Sequence, residues 1–153
     1  MKSEKLVLLQ TQLRDLEKAA AHLHYSLDRT KGLFGRHDWQ PEELERLESL
    51  ASRFARLSDL LMQRVMRLID DLELMDSGTL LDRIHRAEKR EWVADAMTLV
   101  RIRELRNLIA HEYVAEKMAE IYSAVAALAP ELIVIVGKVI GYARELEKKY
   151  PAR

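Results

Sequence analysis

The stretch Leu132-Ile133-Val134-Ile135-Val136 decides the fold class. Taken alone, this β-branched run reads as a strand. Its neighbours are helical in composition, and no other segment offers a partner strand. An isolated strand is not viable, so the run is predicted to be helical and the chain all-α. Just downstream, Gly137 and Gly141 lie four apart, a spacing predicted to let a neighbouring helix approach closely. Just upstream, Pro130 is expected to reset or kink the chain. That would separate a helix over Ala115–Leu128 from a last helical stretch reaching about Lys149, before Pro151.

Working outward, Leu6, Leu9, Leu13, Leu16, Ala20, Leu23 and Leu27 recur at spacings of three and four. They predict an amphipathic helix over Ser3–Thr30. Two glycines break it between Lys31 and Gln40, where Phe34 and Trp39 read as anchors to the core. Pro41, followed by Glu42 and Glu43, looks like the first turn of a second helix. That helix should run to about Met75 and stop at Asp76-Ser77-Gly78. Thr79-Leu80-Leu81-Asp82 is a capping pattern, so a short helix should follow to about Arg90. A further helix runs from near Asp95 to His111 or Tyr113. The expected architecture is an antiparallel up-and-down bundle of four long helices plus a short extra one.

The full chain has 153 residues, 48% apolar and 33% charged, which suits one domain over 1–153 with a real core. Lys plus Arg and Asp plus Glu both number 25. That balance argues against a strongly basic coat protein and against an acidic tail, but a local basic patch would suffice for nucleic acid. The five glycines and three prolines argue against linker-rich and most all-β designs. With no cysteine, disulfide scaffolds, thiolate nucleophiles and Cys-ligated zinc are excluded. Leu6–Leu9 is too short for a signal-peptide core, and no unbroken apolar run approaches the roughly 18 residues of a membrane span. The expectation is a soluble, cytoplasmic protein with no membrane partner.

Arg106-Asn107-Leu108-Ile109-Ala110-His111-Glu112-Tyr113 is the segment that carries chemistry. On a helix, Arg103, Asn107 and His111 are successive i, i+4 neighbours, and Arg106, Ala110 and Tyr113 form the adjacent row. Together they occupy an arc of roughly 160°. Ile102, Leu105, Leu108 and Ile109 fall on the other side, the predicted core face. A solvated polar face, or Asn and His capping carbonyls at the helix end, would look the same.

The pattern Arg106-Asn107-x3-His111-x-Tyr113 resembles the signature of the HEPN superfamily. The wider context, Trp92 and then Arg103-Glu104-Leu105 leading into it, is similar to the HepT-like branch, the toxin or nucleotidyltransferase-substrate-binding family. The resemblance implies a metal-independent endoribonuclease without cofactor, in which two protomers form one cleft. It also implies a cognate minimal nucleotidyltransferase as antitoxin and RNA as substrate. The residue chemistry is compatible. Attack by the 2′-hydroxyl needs one proton taken and one given, which an imidazole near neutrality can do. The phosphorane-like transition state needs bidentate cationic donors. Arg106 is thus the phosphate stabiliser and His111 the general acid/base, with Asn107 and Arg103 in support. From i to i+5 these two residues are separated by about 140° of azimuth. Either the helix ends near His111, or the partner's copy completes the site in a symmetric homodimer. Tyr113 can wall the cleft by stacking on a base. The resemblance also makes it an acceptor of AMP, whose bulk and charge would block the cleft. The alternative of the same architecture is a non-catalytic subunit that docks a nucleotidyltransferase and presents a nucleotide or substrate. A ligand-free helical dimerisation module is the third.

Arg46, Arg53, Arg56, Arg64 and Arg67 on the second helix project within roughly 80° of each other and flank its apolar stripe. They could line an RNA groove or meet an acidic partner, or simply snorkel along the bundle seam. His22 and His24 point about 200° apart on a helix, and His37 and His85 show no ligand pattern. No metal site, glycine-rich phosphate loop or nucleophile elbow is visible.

Overall fold

Leucines at helical spacing build α1 (Lys2–Arg29) in the computed structural model, which describes residues 2–76 and 78–150. Leu6, Leu9, Leu13, Leu16 and Leu23 are all buried. Thr30 closes the helix by donating its hydroxyl to the carbonyls of Ser26 (2.8 Å) and Leu27 (3.2 Å). The connection that follows is anchored as expected. The Trp39 indole N–H donates to the Leu33 carbonyl at 2.8 Å, and its ring meets Tyr122 edge-on at 5.8 Å.

Pro41 opens α2 (Pro41–Asp59), where its missing N–H costs nothing. Glu43 accepts the Gln40 N–H at 2.9 Å and binds Arg36 through two 2.9 Å hydrogen bonds. The expected second helix is real, but it is not uniform. A π-helical turn over Leu60–Val65 separates α2 from α3 (Met66–Leu72). The rod also ends earlier than expected. Met75 N–H returns to the Asp70 carbonyl (2.8 Å) and Leu74 N–H to that of Asp71 (3.2 Å), closing a Schellman motif. Leu74 takes the left-handed position, φ 60°, that glycine usually fills. Of the expected stop, Ser77 lies outside the described residues.

The capping pattern forms as read. Thr79 Oγ1 accepts the Asp82 N–H (3.1 Å) and Asp82 Oδ2 accepts that of Thr79 (2.8 Å), starting α4 (Leu80–Lys89). Gly78 has φ 55°, and a Cβ there would come within 2.6 Å of Asp82 Oδ2, so the box needs glycine. After a second Schellman closure at Glu91 and Trp92 come α5 (Ala96–His111) and α6 (Ala115–Lys149).

The fold is all-helical, with no strand among the described residues. The Leu132–Val136 run is helix, with Leu132, Ile135 and Val136 buried in register. Pro130 does not divide the chain, and α6 runs through it for 35 residues. Pro130 is on the exposed side, so water can reach the carbonyl its ring displaces. Buried Val125, Ala129 and Leu132 hold both arms against the core. Gly137 and Gly141 are also exposed, with no atom near enough to touch an added Cβ, so they do not admit a neighbouring helix within this chain. The expected end at Pro151 lies outside the described residues.

One contiguous core draws on α1, the α2–π–α3 rod, α4, α5 and α6. The helix α6 is long and apolar enough to cross a membrane by length and composition, with a mean hydropathy of 2.0 in its most apolar window. Read as unbroken runs, the sequence hid this, because single polar residues interrupt the helix. It also supplies Ile121, Val125, Leu132, Ile135, Val139 and Leu146 to the core, which is compatible with a soluble protein. Where α3, α4 and α6 meet, Asp70 is buried and accepts from Arg86 (2.9 Å) and Arg90 (2.6 Å). Arg90 also binds Glu73 (2.9 Å), which accepts the Tyr142 hydroxyl proton at 2.5 Å.

Candidate functional site

The helix α5 carries the chemistry-bearing segment, and both its ends are set by carboxylates. Asp95 accepts the Met97 N–H at 2.9 Å, and Glu88 accepts that of Ala96 at 2.6 Å. At the other end Glu112 is extended, and its side chain accepts the N–H groups of Tyr113 (3.1 Å) and Val114 (3.0 Å). The helix therefore stops at His111, and three residues connect it to α6. Between these ends, Leu99, Ile102 and Leu105 are buried and fix which face looks outward.

That outward face meets the π turn of the rod. Arg103, Arg106, Asn107, Ala110 and His111 line one wall of an open cleft of about 570 Å³. Asp59, Gln63 and Arg64 line the other. Asp59 is the last residue of α2, and Gln63 and Arg64 belong to the π turn itself. A π turn accommodates an extra residue and recurs at functional sites, because it re-aims the side chains that follow.

Arg106 is not free in this cleft. Its Nε and Nη2 donate to the two carboxylate oxygens of Asp59 at 2.7 and 2.8 Å. This bidentate bond raises the Arg106 pKa above the ordinary guanidinium value. Arg64 and Arg103 have no hydrogen-bond or ion-pair partner among the described residues, and neither do Asn107 and His111. No hydrogen bond joins Asn107 to His111, although they stand one turn apart.

Two expectations about α5 change. Tyr113 is not on the helix and does not line the cleft; it lies in the extended connection with 89% of its surface exposed. Leu108, expected on the core face, is half exposed. The arginine stripe divides too. Arg53 donates to Ser26 Oγ (2.8 Å) and the His22 carbonyl (3.2 Å), tying the rod to α1. Arg46 shares the α1-facing groove with it, and Arg56 lines an adjoining groove with Glu45, Glu48 and Arg53. Only Arg64 reaches the candidate cleft. Arg67 is exposed near Arg83 of α4. A projection at constant helical pitch carries no trace of the π turn, which shifts the phase of every residue after it.

In comparisons with protein-family models, curated proteins and solved structures, nothing matches this chain. The site is therefore read from its own residues. Sequence reading missed Asp59 and Gln63. Their signal was weak: a lone acid and an amide, one turn apart, on a leucine- and arginine-rich helix. It also missed Arg83 of α4, which is only 7% exposed. The Arg83 Nη2 donates to Gln63 Oε1 at 3.5 Å, while its buried Nε finds no partner. Burial above all, and then the charge of Arg67, lowers the Arg83 pKa. Among the described residues, no three His, Asp or Glu side chains gather into a metal-holding group.

Proposed function

We propose that this chain is a metal-independent endoribonuclease that cleaves RNA by 2′-hydroxyl attack, acting as a toxin whose antitoxin is a minimal nucleotidyltransferase. The observation that carries this reading is the cleft, in which Arg103, Arg106, Asn107 and His111 share one wall. An imidazole and guanidinium groups in one solvent-open cleft suit acid–base chemistry on a phosphodiester. The end of α5 at His111 favours the first way of bringing His111 and Arg106 together. A homodimer remains part of the proposal, with half-exposed Leu108 and Val114 beside the site as its apolar seam. Tyr113, in the open connection, is accessible to an incoming nucleotidyltransferase and is the proposed AMP acceptor. The short α5–α6 connection supports an antiparallel, up-and-down arrangement of the long helices, and a cytoplasmic location belongs to the same reading.

One observation favours a second reading. Asp59 neutralises Arg106 in the isolated chain, as suits a non-catalytic subunit that presents a nucleotide to its partner. The discriminating experiment is cleavage of total RNA by purified protein in excess EDTA, beside folded Arg106→Ala and His111→Ala variants. The expected result is cutting by the parent alone, leaving 2′,3′-cyclic phosphate ends. Cutting by both variants would overturn the assignment, and an inert, unmodified parent would transfer it to the binding subunit.

A further inference from the structure

The cleft holds an unusual charge arrangement. Arg64 and Arg103 line it from opposite walls without a partner among the described residues, and Gln63 lines it beside Arg64. Behind Gln63 is Arg83, more than nine-tenths buried, with no carboxylate bound to it and an unsatisfied Nε. A buried cation without a counter-charge is costly, and proteins usually pair it. The nearest comparison is just downstream: Arg86 of α4 and Arg90, the residue after it ends, both close on Asp70. Among the described residues the one acid lining the cleft, Asp59, is spent on Arg106. A chain with balanced overall charge thus gathers three guanidinium groups with no carboxylate bound to them around one amide. Because Gln63 Oε1 is turned to Arg83, its NH₂ group is the donor left for the cleft. Eight residues of helix, about 12 Å of rise, separate Arg103 from His111, so the two ends of the cleft have room for different phosphates.

We propose that Gln63, Arg64 and Arg103, backed by Arg83, form a phosphate subsite that holds a phosphodiester of single-stranded RNA adjacent to the one presented to Arg106 and His111. The guanidinium groups supply the charge, and the Gln63 amide supplies a neutral donor that fixes register. The subsite rests on the ribonucleolytic reading for its ligand, but it concerns binding and can be tested without turnover.

The test uses the full chain carrying His111→Ala and a fluorescent 2′-O-methyl oligonucleotide, which lacks the attacking hydroxyl. Binding is titrated over a range of salt. Arg64→Ala and Arg103→Ala should each lower the slope of log K against log salt by about 0.7, the value for one phosphate on a single strand. Arg101→Ala, which removes an exposed charge from α5 outside the cleft, should leave the slope unchanged. Gln63→Glu separates binding from structure. Its carboxylate pairs with Arg83, so the melting temperature should rise while oligonucleotide affinity falls at least tenfold. A parent that binds, with Arg64 and Arg103 variants no different from Arg101→Ala, would overturn the subsite and leave the ribonuclease reading intact. A parent that binds no oligonucleotide would overturn both.

Discussion

Two arginine–carboxylate clusters among the described residues are built on opposite plans. At the junction of α3, α4 and α6, Asp70 binds Arg86 and Arg90, and Glu73 binds Arg90 and Tyr142. Arg90 also lies over the Trp92 ring at 5.0 Å, and that ring meets Tyr142 edge-on. The charges there are matched and largely buried. Between α5 and the π turn, one acid faces three arginines, and the cleft is open. Both regions use the same residue types. The difference is that the first leaves no charge to offer, whereas the second keeps a surplus exposed to an incoming anion. Matched arginines hold this fold together, and unmatched ones mark its candidate site.

The largest effect should come from the matched cluster. Asp70→Ala strands two poorly exposed guanidinium groups and should cost about 3–5 kcal/mol, read as a fall in the denaturation midpoint. Arg106→Ala removes the corresponding arginine from the open cluster. Its pair with Asp59 is part-exposed, so unfolding should change by about 1 kcal/mol or less. If the proposed reaction is correct, RNA cleavage should nonetheless drop by about 10²–10³-fold. A large loss of stability with unchanged cleavage would invert the comparison.

Thr79→Ala weakens the start of α4, the helix that carries Arg86 and leads into Arg90, and should cost about 1 kcal/mol at neutral pH. The Thr79 backbone N–H, then its hydroxyl, hold the Asp82 pKa below the usual aspartate range. Stability from this bond is therefore complete above the unfolded aspartate pKa and is lost as pH falls through the lower folded value. Wild type and Asp82→Ala should accordingly converge in acid, which a pH series of thermal melts would reveal. Asp59→Asn tests the open cluster from the other side. It should leave the fold within about 1 kcal/mol and tighten binding of the 2′-O-methyl oligonucleotide, because Arg106 is released to the ligand. The smallest effect is a gain. Leu74→Gly relieves the left-handed backbone after α3 and should stabilise by about 1 kcal/mol or less.

Much of this was legible along the chain. Local chemistry wrote the Thr79–Asp82 box, Pro41 at the head of α2 and the leucine stripe of α1, because each depends on residues within a turn or two of each other. The Leu132–Val136 run required one non-local argument, the lack of any partner strand, and it folded as helix. Pro130 misled because a proline's effect depends on which side it faces. Only packing decides whether its displaced carbonyl meets water or a neighbour.

The candidate site divides along the same line. Sequence alone determined that Arg103, Arg106, Asn107 and His111 share one outward face of α5, since helical periodicity and buried Ile102 and Leu105 suffice for that. Tertiary structure decided what stands opposite them. Asp59 is 47 residues from Arg106 along the chain, and their pairing depends on how α5 docks beside the rod. The π turn redirects Gln63 and Arg64 into the cleft and shifts the phase of Arg67 beyond it. Such a turn is set by strain and packing across several helices, and no single-helix pattern records it.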